Sequence, residues 1–250
     1  MALRGFAKRL VVGTQWESPV KRLHYALTRS KNSLYDVQTI EIMRRVLRRD
    51  SGAVDVGAFE GGMLRHILRF APQGRHIAFE PIPEKYAALT RRFPQVRIHP
   101  HAVGASPGEQ TYHQVLEYPA LSGLRRRIDL DPSLHVRERT VTVETLDRVI
   151  APLESIALVK VDVEGGELGV FRGGLETLRR CRPVVVFECG LGGADSYGTK
   201  PAELHSCLTS DAKLRIFTLD SWLAGGAALS QQEFADQFDR GLNFYFVAAP

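Results

Sequence analysis

Acidic side chains end four short apolar runs of this 250-residue chain. The acids are Asp55, Glu80, Asp162, Glu164 and Glu188. Apolar runs of this length predict strands that are buried on both faces of a parallel sheet. Ligands of such sheets bind at the carboxyl ends of the strands, so we expect the carboxylates to meet in one crevice. There they can accept hydrogen bonds from hydroxyl or ammonium groups, or take up a proton.

The first apolar run leads into a glycine-containing turn of the kind that holds a cofactor. Residues 53–62 read Ala-Val-Asp-Val-Gly-Ala-Phe-Glu-Gly-Gly, and apolar residues at helical spacing follow to Phe70. Glycine reaches positive φ without strain and leaves no Cβ between the backbone and a ligand. The first N–H groups of the following helix are free to bind that ligand. This strand, turn and helix therefore predict the floor of a nucleotide-like cofactor site.

The charge beside the glycines indicates which cofactor to expect. The turn lacks the G-x-G-x-x-G pattern of dinucleotide sites, and Asp55 stands two residues before Gly57. A carboxylate repels a pyrophosphate in a partly dry site but attracts a cationic ligand. S-adenosylmethionine carries an ammonium, a sulfonium and no phosphate, and Glu80 is spaced to accept its ribose hydroxyls. Because NAD also contains ribose, an NAD-dependent oxidoreductase stays as an alternative.

The remaining pattern predicts one α/β domain. Strands alternate with helices, which indicates a doubly wound, Rossmann-like sheet. We expect a helix from Asp36 to Leu47, a β-hairpin arm from Gly108 to Val115, and a loop or lid from Leu121 to His135. Residues 51–250 form the catalytic domain in this interpretation. Residues 1–50 form a basic, helical N-terminal arm of the same domain.

Most of the positive charge lies in that arm. The net charge of the chain is +5, and residues 1–50 hold eleven Lys and Arg against four Asp and Glu. We interpret the arm as a solvated helix surface; weak peripheral contact with an anionic membrane is an alternative. No aromatic residues are interleaved with the charge, so no nucleic-acid partner is expected. The sequence has no signal-peptide pattern, no membrane-spanning run and three unpaired cysteines, which favours the cytoplasm.

Taken together, these motifs resemble the FkbM-type family of S-adenosylmethionine-dependent methyltransferases. The most specific piece is Val159-Lys160-Val161-Asp162-Val163-Glu164-Gly165, with Glu167 after it. The other matching pieces are residues 55–61, Phe79-Glu80-Pro81, Ala102-Val103-Gly104, Thr145-Leu146-Asp147, and Tyr35-Asp36 with Thr39. The resemblance covers roughly residues 35–250 and implies a seven-stranded class I methyltransferase sheet with an antiparallel last strand. It also implies methyl transfer, usually to a hydroxyl of a sugar or natural product.

The resemblance further implies individual roles. Asp55, Gly57 and Gly61 hold the methionine end of the cofactor, Glu80 the ribose, and Ala102 with His101 the adenine. The full set of implied cofactor-binding residues is Tyr35, Thr39, Asp55, Gly57, Ala58, Phe59, Gly61, Glu80, Pro81, His101, Ala102 and Asp162. The family usually has Asn at the position of Phe59 and an apolar residue at that of Glu60, so this chain departs from the pattern there.

Methyl transfer to an alcohol requires an aligned oxygen and a base for its proton. The candidate catalytic residues are Asp162, Glu164 and His101, with Glu188 as a further base. Asp162 is also implied to lie near the reactive methyl, and we expect it to be essential. A cofactor-binding but inactive scaffold would carry the same residues and is a second alternative.

The acceptor is expected to be a small molecule or a saccharide. Glu188 is a candidate substrate-binding residue, and the consecutive Arg125, Arg126 and Arg127 are expected to meet an acidic acceptor. As an alternative, Asp162, Glu164 and Glu188 share a divalent metal ion. The identity of the acceptor and the oligomeric state do not follow from the sequence.

Overall fold

The computed structural model describes residues 31–152 and 154–250. The helices predicted within residues 1–30 lie outside the described residues. The first half contains α1 (Lys31–Val46), β1 (Gly52–Val56), α2 (Gly62–Phe70), β2 (His76–Phe79), α3 (Pro83–Arg92), β3 (Arg97–His99), β4 (Ala102–Val103), β5 (Gly108–Val115) and β6 (Val136–Glu144). The second half contains α4 (Leu146–Val149), β7 (Ile156–Val161), α5 (Glu167–Arg172), α6 (Leu175–Cys181), β8 (Val184–Glu188), α7 (Pro201–Ser206), β9 (Arg215–Thr218), α8 (Leu219–Ala224), α9 (Gln231–Asp239) and β10 (Tyr245–Ala249).

The main sheet has seven strands in the order β3-β2-β1-β7-β8-β10-β9. Four of the six strand pairs are parallel and join β3, β2, β1, β7 and β8, whereas β10 runs antiparallel to both β8 and β9. This confirms the predicted doubly wound sheet with an antiparallel last strand. All five residues of β1 are buried, as the continuous apolar run indicates.

Two elements differ from the predicted ones. The segment from Gly108 to Val115 is not a hairpin by itself, since β5 pairs along its whole length with β6, which begins only at Val136, in a small three-stranded sheet. In the described part of the chain, Lys31–Val46 is helical, so the helix includes the five residues before Asp36. Asp36 therefore lies within α1 and not at its start.

The strand register brings charged residues from several strands to one side of the sheet. Asp55 on β1 is paired in register with Lys160 on β7, and Glu188 on β8 with Tyr245 on β10. Side chains two residues apart on a strand share a face, so Asp162 follows Lys160 on the same side. Because β10 is antiparallel, its first residue lies at the edge where the parallel strands end.

Helices cover both faces of the main sheet. On the side of Asp55 and Lys160, Ile42 and Met43 of α1 are fully buried in the core cluster that also contains Ala53 and Leu158. Within residues 31–152 and 154–250, none of the helices combines the length and the apolar character that crossing a bilayer requires.

Candidate active site

A cavity of about 650 Å³ opens at the carboxyl ends of β1, β2 and β7. This volume lies in the usual range for small-molecule sites. The cavity brings together most of the predicted site residues. Those in its lining are Thr39, Asp55, Gly57, Ala58, Phe59, Glu80, Pro81, His101, Ala102, Asp162 and Glu164.

The glycine turn packs tightly against the end of β7. Gly57 has φ of 79°, and a Cβ at this position would lie 1.9 Å from the carbonyl oxygen of Asp162. A side chain is therefore excluded both by conformation and by space. Phe59 is also left-handed, with φ of 49°, and its ring lies 4.2 Å from Nζ of Lys85. The backbone of the glycine turn thus lies directly beside the end of β7.

Glu80 is buried at the end of β2 and closes the other side of the turn. Its two carboxylate oxygens accept hydrogen bonds from the backbone N–H groups of Phe59 and Ile82, each at 2.8 Å. Burial raises the pKa of Glu80 to about 7, against the lowering effect of these two hydrogen bonds. Each oxygen keeps a second lone pair with which it can accept a hydroxyl group.

Lys160 connects the two strand ends at the base of the cavity. Its Nζ lies 3.1 Å from Oδ2 of Asp162 and 3.6 Å from Oδ1 of Asp55, and it donates to the carbonyl oxygen of Gly57 at 3.3 Å. Asp55 and Lys160 are both buried. The cation closest to Asp55 in this description is therefore the ammonium group of Lys160.

Three carboxylates meet beside Lys160. Oxygen atoms of Asp162, Glu164 and Glu188 all lie within 4.8 Å of one another. Burial, and then the charge of Asp162, raise the pKa of Glu164 to about 8 and that of Glu188 well above its usual range. Lys160 pairs with Asp162, and Nη1 of Arg127 donates to Oε2 of Glu164 at 2.6 Å. Two side-chain cations therefore balance part of the charge that a metal ion would otherwise neutralise, and the metal site stays a prediction.

The loop after β7 directs Glu164 toward this cluster. Glu164 has φ of 58°, a strained conformation for a residue other than glycine. The N–H groups of Val163 and Gly165, on either side of it, both donate to Oε1 of the buried Glu167, at 3.0 and 3.2 Å. Glu167 therefore holds the loop in the conformation that places Glu164 in the cavity lining.

Tyr35 and Gly61 are predicted cofactor-binding residues that the structure does not place in the cavity lining. Tyr35 is buried in the core, where its hydroxyl donates to Oδ1 of Asn243 and its ring contacts Phe244. Gly61 is the N-cap of α2 with φ of 73°, and a Cβ there would collide with the ring of Phe93 at 2.3 Å. A side chain at Gly61 is therefore excluded by helix packing, and its contact with a cofactor stays a prediction.

The predicted substrate-binding residues also lie outside the cavity lining. Glu188 contributes to the carboxylate cluster from one strand further along the sheet. Arg125 and Arg126 are exposed, and Arg127 is held in ion pairs with Glu164 and Asp129. Whether these residues meet an acceptor stays a prediction.

Two residues at the centre of the site were not among the predicted ones. Lys160 is signalled in the sequence as the one charged residue inside the apolar run 156–161. Tyr245 donates its hydroxyl to Oδ2 of Asp162 at 2.6 Å. No local pattern marks Tyr245, because only the strand order brings β10 to this edge of the sheet.

The strand order and the position of the cavity define a class I methyltransferase fold. The profile of the family described as "Methyltransferase FkbM domain" matches residues 55–209. The chain belongs to this methyltransferase family, which implies S-adenosylmethionine as the methyl donor. The match covers the glycine turn, the end of β2 and the complete segment from β7 to α7.

Individual relatives are more distant. The chain is 27% identical over 162 residues to the 2-O-methyltransferase NoeI of Sinorhizobium fredii, which covers 57% of this chain and 65% of that protein. It is 30% identical over 167 residues to the AMB antimetabolite synthetase AmbE of Pseudomonas aeruginosa, covering 51% of this chain and 8% of that protein. The chain thus spans less than two thirds of the length of either relative.

A solved structure shares the fold. The methyltransferase FkbM from Methylobacillus flagellatus superposes with a TM-score of 0.51 at 15% identity, covering 98% of this chain and 59% of that one. This likeness agrees with the seven-stranded sheet described above.

The residues of the cavity fit S-adenosylmethionine. Both carboxylate oxygens of the buried Asp55 lack a close hydrogen bond among the described residues, since Nζ of Lys160 lies 3.6 Å from Oδ1, so they can still accept an ammonium group. The free lone pairs of Glu80 suit ribose hydroxyls. His101 and Ala102, after β3, line the same cavity and are available to an adenine ring.

Cofactor binding should depend on pH through Glu80. A carboxylate accepts ribose hydroxyls best when ionised, and the pKa of Glu80 in the folded chain is raised to about 7. The affinity for S-adenosylhomocysteine should therefore weaken as the pH falls below this pKa, approaching a tenfold loss per pH unit. Calorimetric titrations from about pH 5.5 to 8.5 measure this dependence. Glu80→Gln should bind more weakly and without the pH dependence; a flat profile for the unaltered chain would contradict the assignment.

Proposed function

We propose that the chain is an S-adenosylmethionine-dependent O-methyltransferase that acts on a hydroxyl group of a saccharide or other natural product. The observation that carries the proposal is the composition of the cavity at the carboxyl ends of β1, β2 and β7. In this cavity, Asp55 and Glu80 can accept hydrogen bonds from the polar ends of the cofactor. Asp162 and Glu164 lie in the same cavity and suit a methyl acceptor that carries a hydroxyl group. The similarity to a 2-O-methyltransferase supports the choice of oxygen.

In this proposal the protein acts mainly by positioning. When bound, S-adenosylmethionine supplies an electrophilic methyl group on its sulfonium. Asp55 holds the ammonium group, Glu80 the ribose, and Asp162 lies beside the path of transfer. Excluding water from the cavity strengthens the interactions of these carboxylates with a cationic ligand.

We assign Glu164 as the general base that takes up the proton of the acceptor hydroxyl. Its Oε2 is held by Arg127, and the residue lines the cavity. The pKa of about 8 is close to neutral pH, where a general base is most effective. Asp162 is less suited to take up a proton, since Lys160 and Tyr245 both stabilise its anion and lower its pKa. His101 is proposed to contact the adenine rather than the acceptor.

Thermal unfolding with three ligands in parallel tests the cofactor. A ligand at a hundred times its dissociation constant stabilises the folded state by roughly 2.7 kcal/mol. S-adenosylmethionine and S-adenosylhomocysteine should both raise the melting temperature, and NAD should not. A shift with NAD alone would contradict the proposal.

Transfer of a labelled methyl group tests the acceptor class. The panel contains free hexoses, glycosides, uronic acids and a set of amines, each incubated with the chain and labelled S-adenosylmethionine. Label in an acid- and base-stable ether of a saccharide supports O-methylation. Label in the amines alone would overturn the choice of oxygen, and cofactor binding without any transfer would favour the inactive scaffold.

A further inference from the structure

The last strand contributes a side chain to the carboxylate cluster. Tyr245 is the first residue of β10 and is paired in register with Glu188. The ring of Tyr245 stacks on the ring of Tyr35 of α1, with ring centroids 5.3 Å apart and an interplanar angle of 24°. The ring therefore has a defined direction, with its hydroxyl toward the end of β7.

One oxygen of Asp162 receives donors from two sides. The Tyr245 hydroxyl donates to Oδ2 at 2.6 Å, and Nζ of Lys160 lies 3.1 Å from the same atom. Lys160 is shared, because it also serves Asp55 and the carbonyl oxygen of Gly57. Among the contacts described here, the Tyr245 hydroxyl donates to Asp162 alone, and the carboxyl group of Glu188 is a further hydrogen-bond partner of the Asp162 carboxylate.

We propose that Tyr245 is a positioning residue for methyl transfer, which holds the carboxylate of Asp162 so that its other oxygen faces the cavity. The proposal rests on the function proposed above. Without the Tyr245 hydroxyl, the Asp162 carboxylate keeps the shared ammonium of Lys160 and the carboxyl group of Glu188, but Oδ2 loses its contact at 2.6 Å and the plane of the carboxylate is less well defined. Small displacements of a group at the reaction path cost up to about a hundredfold in rate.

The two stacked tyrosines form a matched pair for the test. Tyr245→Phe and Tyr35→Phe each remove one buried hydroxyl, from Asp162 in the first case and from Asn243 in the second. We expect Tyr245→Phe to lower kcat by about ten- to a hundredfold, with the acceptor KM and the S-adenosylhomocysteine affinity within about threefold. The loss of kcat in Tyr35→Phe should be smaller, because its hydroxyl contacts Asn243 and not Asp162.

A double variant separates positioning from a general structural effect. If Tyr245 acts through Asp162, adding Tyr245→Phe to Asp162→Asn should cause no further loss of kcat. An unchanged kcat in Tyr245→Phe, an equal loss in Tyr35→Phe, or additive losses in the double variant would each overturn the proposal.

Crystal structures of the two tyrosine variants provide a readout that does not depend on turnover. The Asp162 carboxylate should change its orientation in Tyr245→Phe and keep it in Tyr35→Phe. If the unaltered chain transferred no methyl group, the proposed function would fail, and the orientation of Asp162 would still decide whether Tyr245 positions it. An unchanged Asp162 in Tyr245→Phe overturns the inference in either case.

Discussion

Asp162→Asn should lower kcat by about 10³-fold and change the affinity for S-adenosylhomocysteine by less than about tenfold. Asn keeps the shape of the side chain but removes the negative charge at the base of the cavity. It also replaces an acceptor oxygen by an NH₂ group, which cannot accept from Lys160 or Tyr245. The loss should therefore fall on the transition state, in which charge is redistributed between the acceptor and the cofactor, rather than on ground-state binding.

Asp147→Asn is the control for this substitution. Asp147 accepts the N–H groups of Glu176 and Thr177 at the start of α6, away from the cavity. This variant should lose stability while its kcat stays within about twofold, because a weakened helix cap leaves the site unaltered. Single-turnover and steady-state assays on both variants show whether a substitution slows methyl transfer itself or only lowers the stability of the fold. Full turnover in Asp162→Asn would show that the carboxylate has no part in transfer.

Lys160→Met should lower the free energy of unfolding by about 3–5 kcal/mol. Lys160 is the cation between Asp55 and Asp162, and both it and Asp55 are buried. Methionine has a similar length and no charge, so the two carboxylates lose their shared partner at little change in volume. Urea unfolding of the unaltered chain and the variant, with equal slopes, measures the difference.

Lys85→Met is the matched control, and a double variant tests the cause. Lys85 pairs with the largely exposed Glu60 at 2.6 Å, so its removal should cost less than about 1 kcal/mol. Adding Asp55→Asn to Lys160→Met should recover part of the loss, because it removes one of the two stranded charges. Equal effects of the two lysine substitutions would contradict the view that Lys160 stabilises the base of the site electrostatically.

The segment 159–167 is dense in charged residues because each of them makes a different structural contact. Lys160, Asp162, Glu164 and Glu167 occupy one segment, yet each has a different structural role. Lys160 and Asp162 lie on one face of β7 and its extension, Glu164 extends from a strained loop, and Glu167 binds that loop from the first turn of α5. A buried carboxylate that satisfies backbone N–H groups therefore shapes the site without lining it.

Local pattern was sufficient for the architecture of the sheet. Continuous apolar runs, acids at their ends and a glycine turn predicted the parallel strands and the edge at which they open, and the strand order confirms it. The reason is that burial on both faces leaves a strong signature in a short stretch of sequence. The same signature predicted that Asp55, Glu80 and Asp162 line one cavity, as the structure has them.

Residues that act through packing were predicted less well. Gly61 and Tyr35 belong to matching motifs, but one packs against Phe93 and the other lies in the core beside Phe244. The pairing of β5 with β6 joins two segments that residues 116–135 separate, and no local periodicity encodes such a pairing. Loop contacts of this kind are chosen by the complete fold.

The sequence by itself determined the class of sheet, the glycine turn, the acids at the strand ends and the family to which these motifs belong. The tertiary structure decided which charges are paired. It placed Lys160 between Asp55 and Asp162, brought Arg127 to Glu164, and set Tyr245 against Asp162 from 83 residues further along the chain. The physical reason is range: burial is encoded residue by residue along a strand, whereas an ion pair or hydrogen bond between distant segments exists only once strand order and register have joined them.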